Sequence, residues 1–366
     1  MLGVVVLTVV VAGVVLFFAS CGDDEPASTP PPAAGNESGP DAAARRFLDR
    51  YVLPDGRVQR IDEGGDTVGE GQAYGMLLAA ALGDESRFDL IWEWTKDNLQ
   101  RPDGLISFLW QDGEVVDPEA ASDADVDAAR ALLVASCEFD RPELRDEAVE
   151  LGRAILAEQT ASFADAPVLV AGPWAVEEPI TINPSYFSPA TFAALGEASG
   201  DRQWGELSAT SRSISEMLMN DQTPLPPDWA RLEGDEPVPI GLPDDPEAPP
   251  KFSFDAVRTL VRLAEDPDPE GRQIAAVAWP VFEGQDPAEI TVEHDLSGEP
   301  AGDTRNPVVL VAAAGAAHAA GDDGARDQLL DAAEAADQQS PTYYGGAWVA
   351  LGRYMLTTKT LDSSCQ

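Results

Sequence analysis

Basic side chains are scarce in this chain. Against 65 aspartates and glutamates stand only 23 lysines and arginines, a formal net charge of -42 over 366 residues. Lys96, Lys251 and Lys359 are the only lysines. Phosphate binding needs basic surface, so the balance excludes nucleic acid as a partner. The acid excess suits a solvated surface in salty surroundings or a need for solubility. Histidine is nearly absent: His294 and His318 stand alone, no metal-ligand cluster is visible, and no metal or other cofactor is expected. Cysteine is limited to Cys21, Cys137 and Cys365. Cys137 lies on a helical apolar face and Cys365 in the C-terminal tail; the two could pair, and the default expectation is a buried free thiol and a loose one. Convincing strand alternations are few, and no internal repeat is visible.

Residues 1–21 are almost entirely apolar and close with Phe17-Phe18-Ala19-Ser20-Cys21. Such a run, ended by small residues and a cysteine, reads as an export signal, with Cys21 similar to a bacterial lipoprotein acceptor. No Lys or Arg precedes the run, and it is just long enough to span a bilayer, so an uncleaved membrane anchor is the alternative. Either reading exports the remainder and attaches it to a membrane through the N-terminus. Residues 22–41, rich in Pro, Ala, Ser and acidic side chains, then form a flexible tether.

From Asp41 onward, apolar residues recur at helical spacing in segment after segment. The pattern predicts helices over residues 42–51, 71–82, 88–99, 126–137, 144–155, 189–199, 204–218, 254–264, 271–279, 307–320, 325–335 and 347–356. About twelve helices of ordinary length suggest pairs closed into a ring, and all-α enzymes of this kind reach such a length as one domain. Pro-rich connections at residues 221–250 and 284–302 interrupt the series. Connections of that length are usually functional or mobile.

Three acidic stretches carry the chemistry. In Val68-Gly69-Glu70-Gly71-Gln72-Ala73-Tyr74 a carboxylate stands at a helix start, where free N–H groups and the dipole favour an anion. Capping alone would explain it equally well. In Ala121-Ser122-Asp123-Ala124-Asp125-Val126-Asp127 three aspartates alternate before an apolar helix that Ser122 or Asp123 would cap. The glycine and glutamate of a calcium loop are missing there. In Phe252-Ser253-Phe254-Asp255-Ala256-Val257-Arg258 an aspartate precedes an arginine by three. That is either a helical ion pair or a carboxylate kept ionised for work as a general base.

Read together, these stretches resemble glycoside hydrolase family 8, the family of bacterial endoglucanases and some xylanases, lichenases and chitosanases. Three more segments add to the likeness, all in the family's order: Asn183-Pro184-Ser185-Tyr186-Phe187, Pro227-Asp228-Trp229 and Tyr343-Tyr344. It runs from about residue 45 to residue 356, so the catalytic domain is expected over 42–366. The resemblance implies an (α/α)6 barrel with a substrate groove at one end and inversion at the anomeric carbon. It assigns Glu70 as general acid, Asp255 as general base held charged by Arg258, and Asp123 as the residue that binds and distorts the sugar. Tyr186, Phe108, Trp110, Trp174 and Trp229 are candidates for sugar stacking, and Tyr74 and Arg258 join them as substrate-binding residues. Phe108 stands where the family often carries tryptophan.

The reading is therefore an exported, monomeric endo-acting β-1,4-glycan hydrolase, an endoglucanase first and a chitosanase, xylanase or lichenase second. A surface glycan-binding lipoprotein that has lost catalysis is the competing class, but a pure binder needs no acid–base pair. Helical-ring lyases and epimerases usually lean on histidine or tyrosine bases, and this chain has two histidines.

Overall fold

A computed structural model describes residues 38–362. The apolar N-terminal run, Cys21, the tether up to Glu37 and Cys365 lie outside the described residues. Among the described residues no helix is long and apolar enough to cross a membrane.

Helices come in alternating kinds. One set is buried on nearly every face: α2 (Gly69–Ala81), α4 (Ser122–Glu138), α8 (Val257–Ala264), α11 (Pro307–Ala319) and α13 (Tyr343–Thr357). Of these, α2, α11 and α13 are rich in small and apolar residues, as expected of buried helices, whereas α4 and α8 also carry buried charged side chains. A sixth, α6 (Pro189–Ser199), is buried along one side. These six form a closed inner ring in the order α2–α4–α6–α8–α11–α13 and back to α2. The second set presents one apolar stripe inward and polar residues outward: α1 (Pro40–Tyr51), α3 (Glu85–Asn98), α5 (Pro142–Glu158), α7 (Gln203–Leu218), α9 (Pro269–Ala276) and α12 (Asp323–Gln339). Each packs behind an inner partner, so the twelve make an (α/α)6 barrel. They correspond to the twelve expected from periodicity; a short α10 (Trp279–Phe282) is additional.

Strands that apolar alternation did not reveal are nevertheless present. One three-stranded antiparallel sheet joins β1 (Thr67–Val68), β2 (Ser107–Gln111) and β3 (Glu114–Ala120). A hairpin pairs β4 (Thr160–Phe163) with β5 (Ala166–Leu169), and a third sheet joins β6 (Thr181–Ile182), β7 (Trp229–Glu233) and β8 (Glu236–Ile240). The connection at 221–250 is thus partly a hairpin. Its strands, like β2 and β3, are short and half-exposed, so tight turns mark them better than alternation does. Asp112-Gly113, with φ of 53° and 100°, is such a turn.

Cys137 is disulfide-bonded, which corrects the expected free thiol.

Candidate active site

Three parallel contacts cross the barrel between α4 and α8. Asp123 meets Arg258, Asp127 meets Arg262, and Arg130 meets Glu265, every pair separated by 135 residues in sequence. Both helices advance through positions three or four apart, so matching turns face each other. Arg258 stands at the end of this ladder nearest the loops, and it gathers the three acidic stretches. Its Nη1 donates to Asp123 Oδ2 at 2.7 Å and to Glu70 Oε2 at 3.1 Å, while Nη2 donates to Asp255 Oδ1 at 2.8 Å. The guanidinium is buried and lies 5.0 Å from the centre of the Tyr186 ring.

The carboxylates reach this point from different elements. Glu70 occupies the first turn of α2, and Asp123 the first turn of α4. Asp123 Oδ1 accepts from Ala124 N at 2.9 Å in the first turn of α4. Ser122 Oγ donates to Val170 O and caps nothing, while Asp123 serves the helix start through Oδ1 and meets Arg258 through Oδ2. Asp255 sits in the turn before α8, which starts at Val257 and not at Phe254. That turn is shaped by Asp228, whose Oδ1 accepts from Ser253 N at 2.8 Å and Ala256 N at 2.9 Å. Ser253 Oγ donates to its other oxygen. Glu70 and Asp255 remain 20% and 34% exposed, enough for a ligand to touch both, whereas Asp123 lies beneath them.

Further donors complete the shell. Tyr343 Oη donates to Glu70 Oε1 at 3.3 Å, and Trp229 Nε1 donates to Asp255 Oδ2 at 3.2 Å. A Cβ on Gly71 would come within 2.7 Å of Tyr343 Oη, so the glycine after Glu70 is what admits this tyrosine. Burial pushes the Glu70 carboxyl up to about 7; Arg258 opposes the shift, and the charges of Asp123 and Asp255 add to it. Asp123 is raised as well, again by burial first. One guanidinium cannot neutralise three carboxylates, so a proton on Glu70 relieves the excess charge.

On one side of this centre is a cavity of about 380 Å³ lined by Phe108, Trp174, Tyr186 and Trp229, with Asp117 and Glu119 at its edge. Phe108 and Trp174 are exposed. On the other is a cavity of about 520 Å³ that includes Glu70, Asp255, Phe254, Tyr343 and Tyr344. Two expected contacts fall elsewhere. Trp110 packs against Trp94 and under the Arg57 guanidinium, because β2 changes register between Leu109 and Trp110 and loses simple alternation. Tyr74, one turn along α2 from Glu70, is fully buried. Its Oη accepts from Arg258 Nη1 and Trp348 Nε1, so it supports the arginine from below and offers nothing to a ligand. Asp228, Tyr343 and Tyr344 belong to segments that carried the resemblance, but spacing alone assigned them no role.

Comparison with known proteins decides the family. The model of glycosyl hydrolases family 8 matches residues 33–348. The chain belongs to this family. It is similar to a probable endoglucanase of Novacetimonas hansenii, 31% identical over 61% of this chain and 67% of that protein. An endoglucanase of Cellulomonas uda is 30% identical over 59% of this chain and 61% of its own length, so the match spans about two thirds of these relatives. Among solved structures, endo-β-1,4-glucanase CMCax from Acetobacter xylinum superposes with a TM-score of 0.73 at 26% identity, covering 87% of this chain and 98% of that one. This family 8 chain is a glycoside hydrolase.

Proposed function

We propose that the chain is an endo-β-1,4-glucanase acting by inversion. The observation that carries this is the single buried Arg258 holding Glu70, Asp123 and Asp255 together, with only Glu70 and Asp255 open to the groove. Glu70, kept protonated near neutrality, gives its proton to the leaving glycosidic oxygen as the bond to the anomeric carbon breaks. Asp255, oriented by Arg258 and Trp229, takes a proton from the water that attacks the opposite face. Asp123 holds Arg258 in place beneath the two working carboxylates. Cavities on both sides of the centre let a chain lie across it, which suits cleavage within a polymer. Aromatic faces suit the flat faces of a glucan, and the related proteins named above are a probable endoglucanase, an endoglucanase and an endo-β-1,4-glucanase. The apolar run before Cys21 supports export with attachment to the membrane through that residue.

The test is release of reducing ends from neutral soluble cellulose, mixed-linkage glucan, xylan and chitosan at high salt. High salt screens the charge of -42, which would otherwise concentrate cationic chitosan. Glucan should be cut fastest; a clear preference for chitosan or xylan overturns the assignment.

A further inference from the structure

Asp255 stands two residues before α8, on a turn. Turns are ordinarily more mobile than the helices they lead into. A base that must meet one water molecule has little tolerance, since a misplacement of about 1 Å can cost on the order of 10²-fold in rate. The turn also lacks a local fastening: the N-cap of α8 is Ala256, whose side chain cannot accept a hydrogen bond.

Asp228 supplies that fastening from a distant part of the chain. The amides of Ser253 and Ala256 both donate to its Oδ1, and the Ser253 hydroxyl donates to its Oδ2. The bonded residues bracket Phe254 and Asp255, so the backbone of the base is gripped on both sides. Asp228 N donates in turn to Lys251 O at 2.8 Å. The next residue, Trp229, opens β7 and donates to the Asp255 carboxylate, so two consecutive residues hold the backbone and the side chain of one turn. Their mount is stiff, because β7 pairs with β6 on one side and β8 on the other. Asp228 itself is 3% exposed and lines neither groove cavity, so its bonds serve the turn and not a ligand.

We infer that Asp228 is a positioning residue for the general base: by clamping residues 253–256 it aims the Asp255 carboxylate at the attacking water. The inference rests on the reading of Asp255 as that base. In the step concerned the water oxygen bonds to the anomeric carbon and its proton passes to Asp255, while the leaving group departs with the electrons of the broken bond.

The experiment compares Asp228→Ala, Asp228→Asn, Asp255→Asn and Glu70→Gln on cellopentaose and on β-cellobiosyl fluoride, whose fluoride leaves without needing a proton. Asp228→Ala should lower kcat about 10²-fold with KM within about threefold of wild type, since the grip matters when water attacks and not when sugar binds. Asp228→Asn keeps one oxygen for the two amides and can donate to a turned Ser253 hydroxyl, so it should recover to within about fivefold of wild type. On the fluoride, Glu70→Gln should regain most of its rate, whereas Asp228→Ala should stay slow beside Asp255→Asn. Circular dichroism and melting confirm folding; if Asp228→Ala does not fold, Asp228→Ser takes its place with the same expected split between kcat and KM. Four results overturn the inference while a slow Asp255→Asn keeps the base assigned: wild-type kcat in Asp228→Ala, equal losses in Asp228→Ala and Asp228→Asn, a loss confined to KM, or recovery of Asp228→Ala on the fluoride. A fast Asp255→Asn overturns both.

Discussion

Asp127 and Arg262 meet at 2.7 Å near the middle of the barrel, one helical turn below the contact between Asp123 and Arg258. Both side chains are sealed from solvent, and Asp127 Oδ1 and Arg262 Nε have no other partner. A buried pair of this kind is costly to break and cheap to replace whole. Arg262→Met alone should destabilise the fold by about 3–5 kcal/mol, because it strands a buried carboxylate. Combining it with Asp127→Leu should recover most of that loss. Urea denaturation of the two single variants and the double variant is the measurement; a single variant costing under about 1 kcal/mol contradicts the argument.

Glu70→Gln should lower kcat by about 10²–10⁴-fold or more while leaving oligosaccharide binding close to wild type. Fresh product from the wild-type enzyme, followed by NMR, should appear with the α configuration from a β-linked substrate. Wild-type turnover in the variant, or retained β product, removes Glu70 from its role or inversion from the mechanism.

The pH profile follows from Glu70. A general acid works in its protonated form, so kcat/KM should fall as pH rises past about 7, where burial has placed this carboxyl. Tyr343 donates to Glu70 and so favours its charged form. Tyr343→Phe should move the alkaline limb to higher pH, with a modest loss of rate. A limb that stays put or shifts downward refutes the coupling.

Asp125 gives a prediction about stability alone. It is fully buried; its oxygens accept from Ile106 N at 2.8 Å and Gln159 Nε2 at 2.7 Å, and burial pushes it up to about 8. A carboxyl raised in the folded state holds its proton more tightly there than when unfolded. Stability from this group is therefore complete at low pH and is lost as pH rises from about 4 toward about 8. Gln159 Oε1 is unpartnered, so a turned amide could accept from a protonated Asp125 or from an asparagine. Asp125→Asn should flatten the alkaline loss and gain on the order of 1 kcal/mol near pH 9. Melting temperature against pH tests it, and a variant that melts lower than wild type at that pH contradicts it.

Cys21→Ser should release the protein from the membrane fraction or leave its precursor uncut. Mass spectrometry that finds Met1 intact in that fraction would instead favour an uncleaved anchor.

The helices are legible because each carries its own apolar period. Glu70, Asp123 and Asp255 could be singled out from the motifs, and the structure brings them onto one guanidinium. The fate of neighbouring residues could not be read that way. Trp110 leaves the groove through a change of register that no local pattern announces. Asp228 belongs to a segment of the resemblance with no role attached, and only the folded turn at Ser253–Ala256 shows what it holds. The pairing of α4 with α8 across 135 residues has no signature in either helix taken alone.

That long reach has a consequence for how the enzyme comes into being. Arg258 waits on Glu70, 188 positions earlier, and Glu70 waits on Tyr343, 273 positions later. No contiguous fragment shorter than residues 70–343 contains the reaction centre, so a nascent or threading chain carries no working catalyst until its last helix docks. Hydrolytic power is acquired in one stroke with closure of the ring, and a chain cut short before Tyr343 should be inert however much of it remains helical.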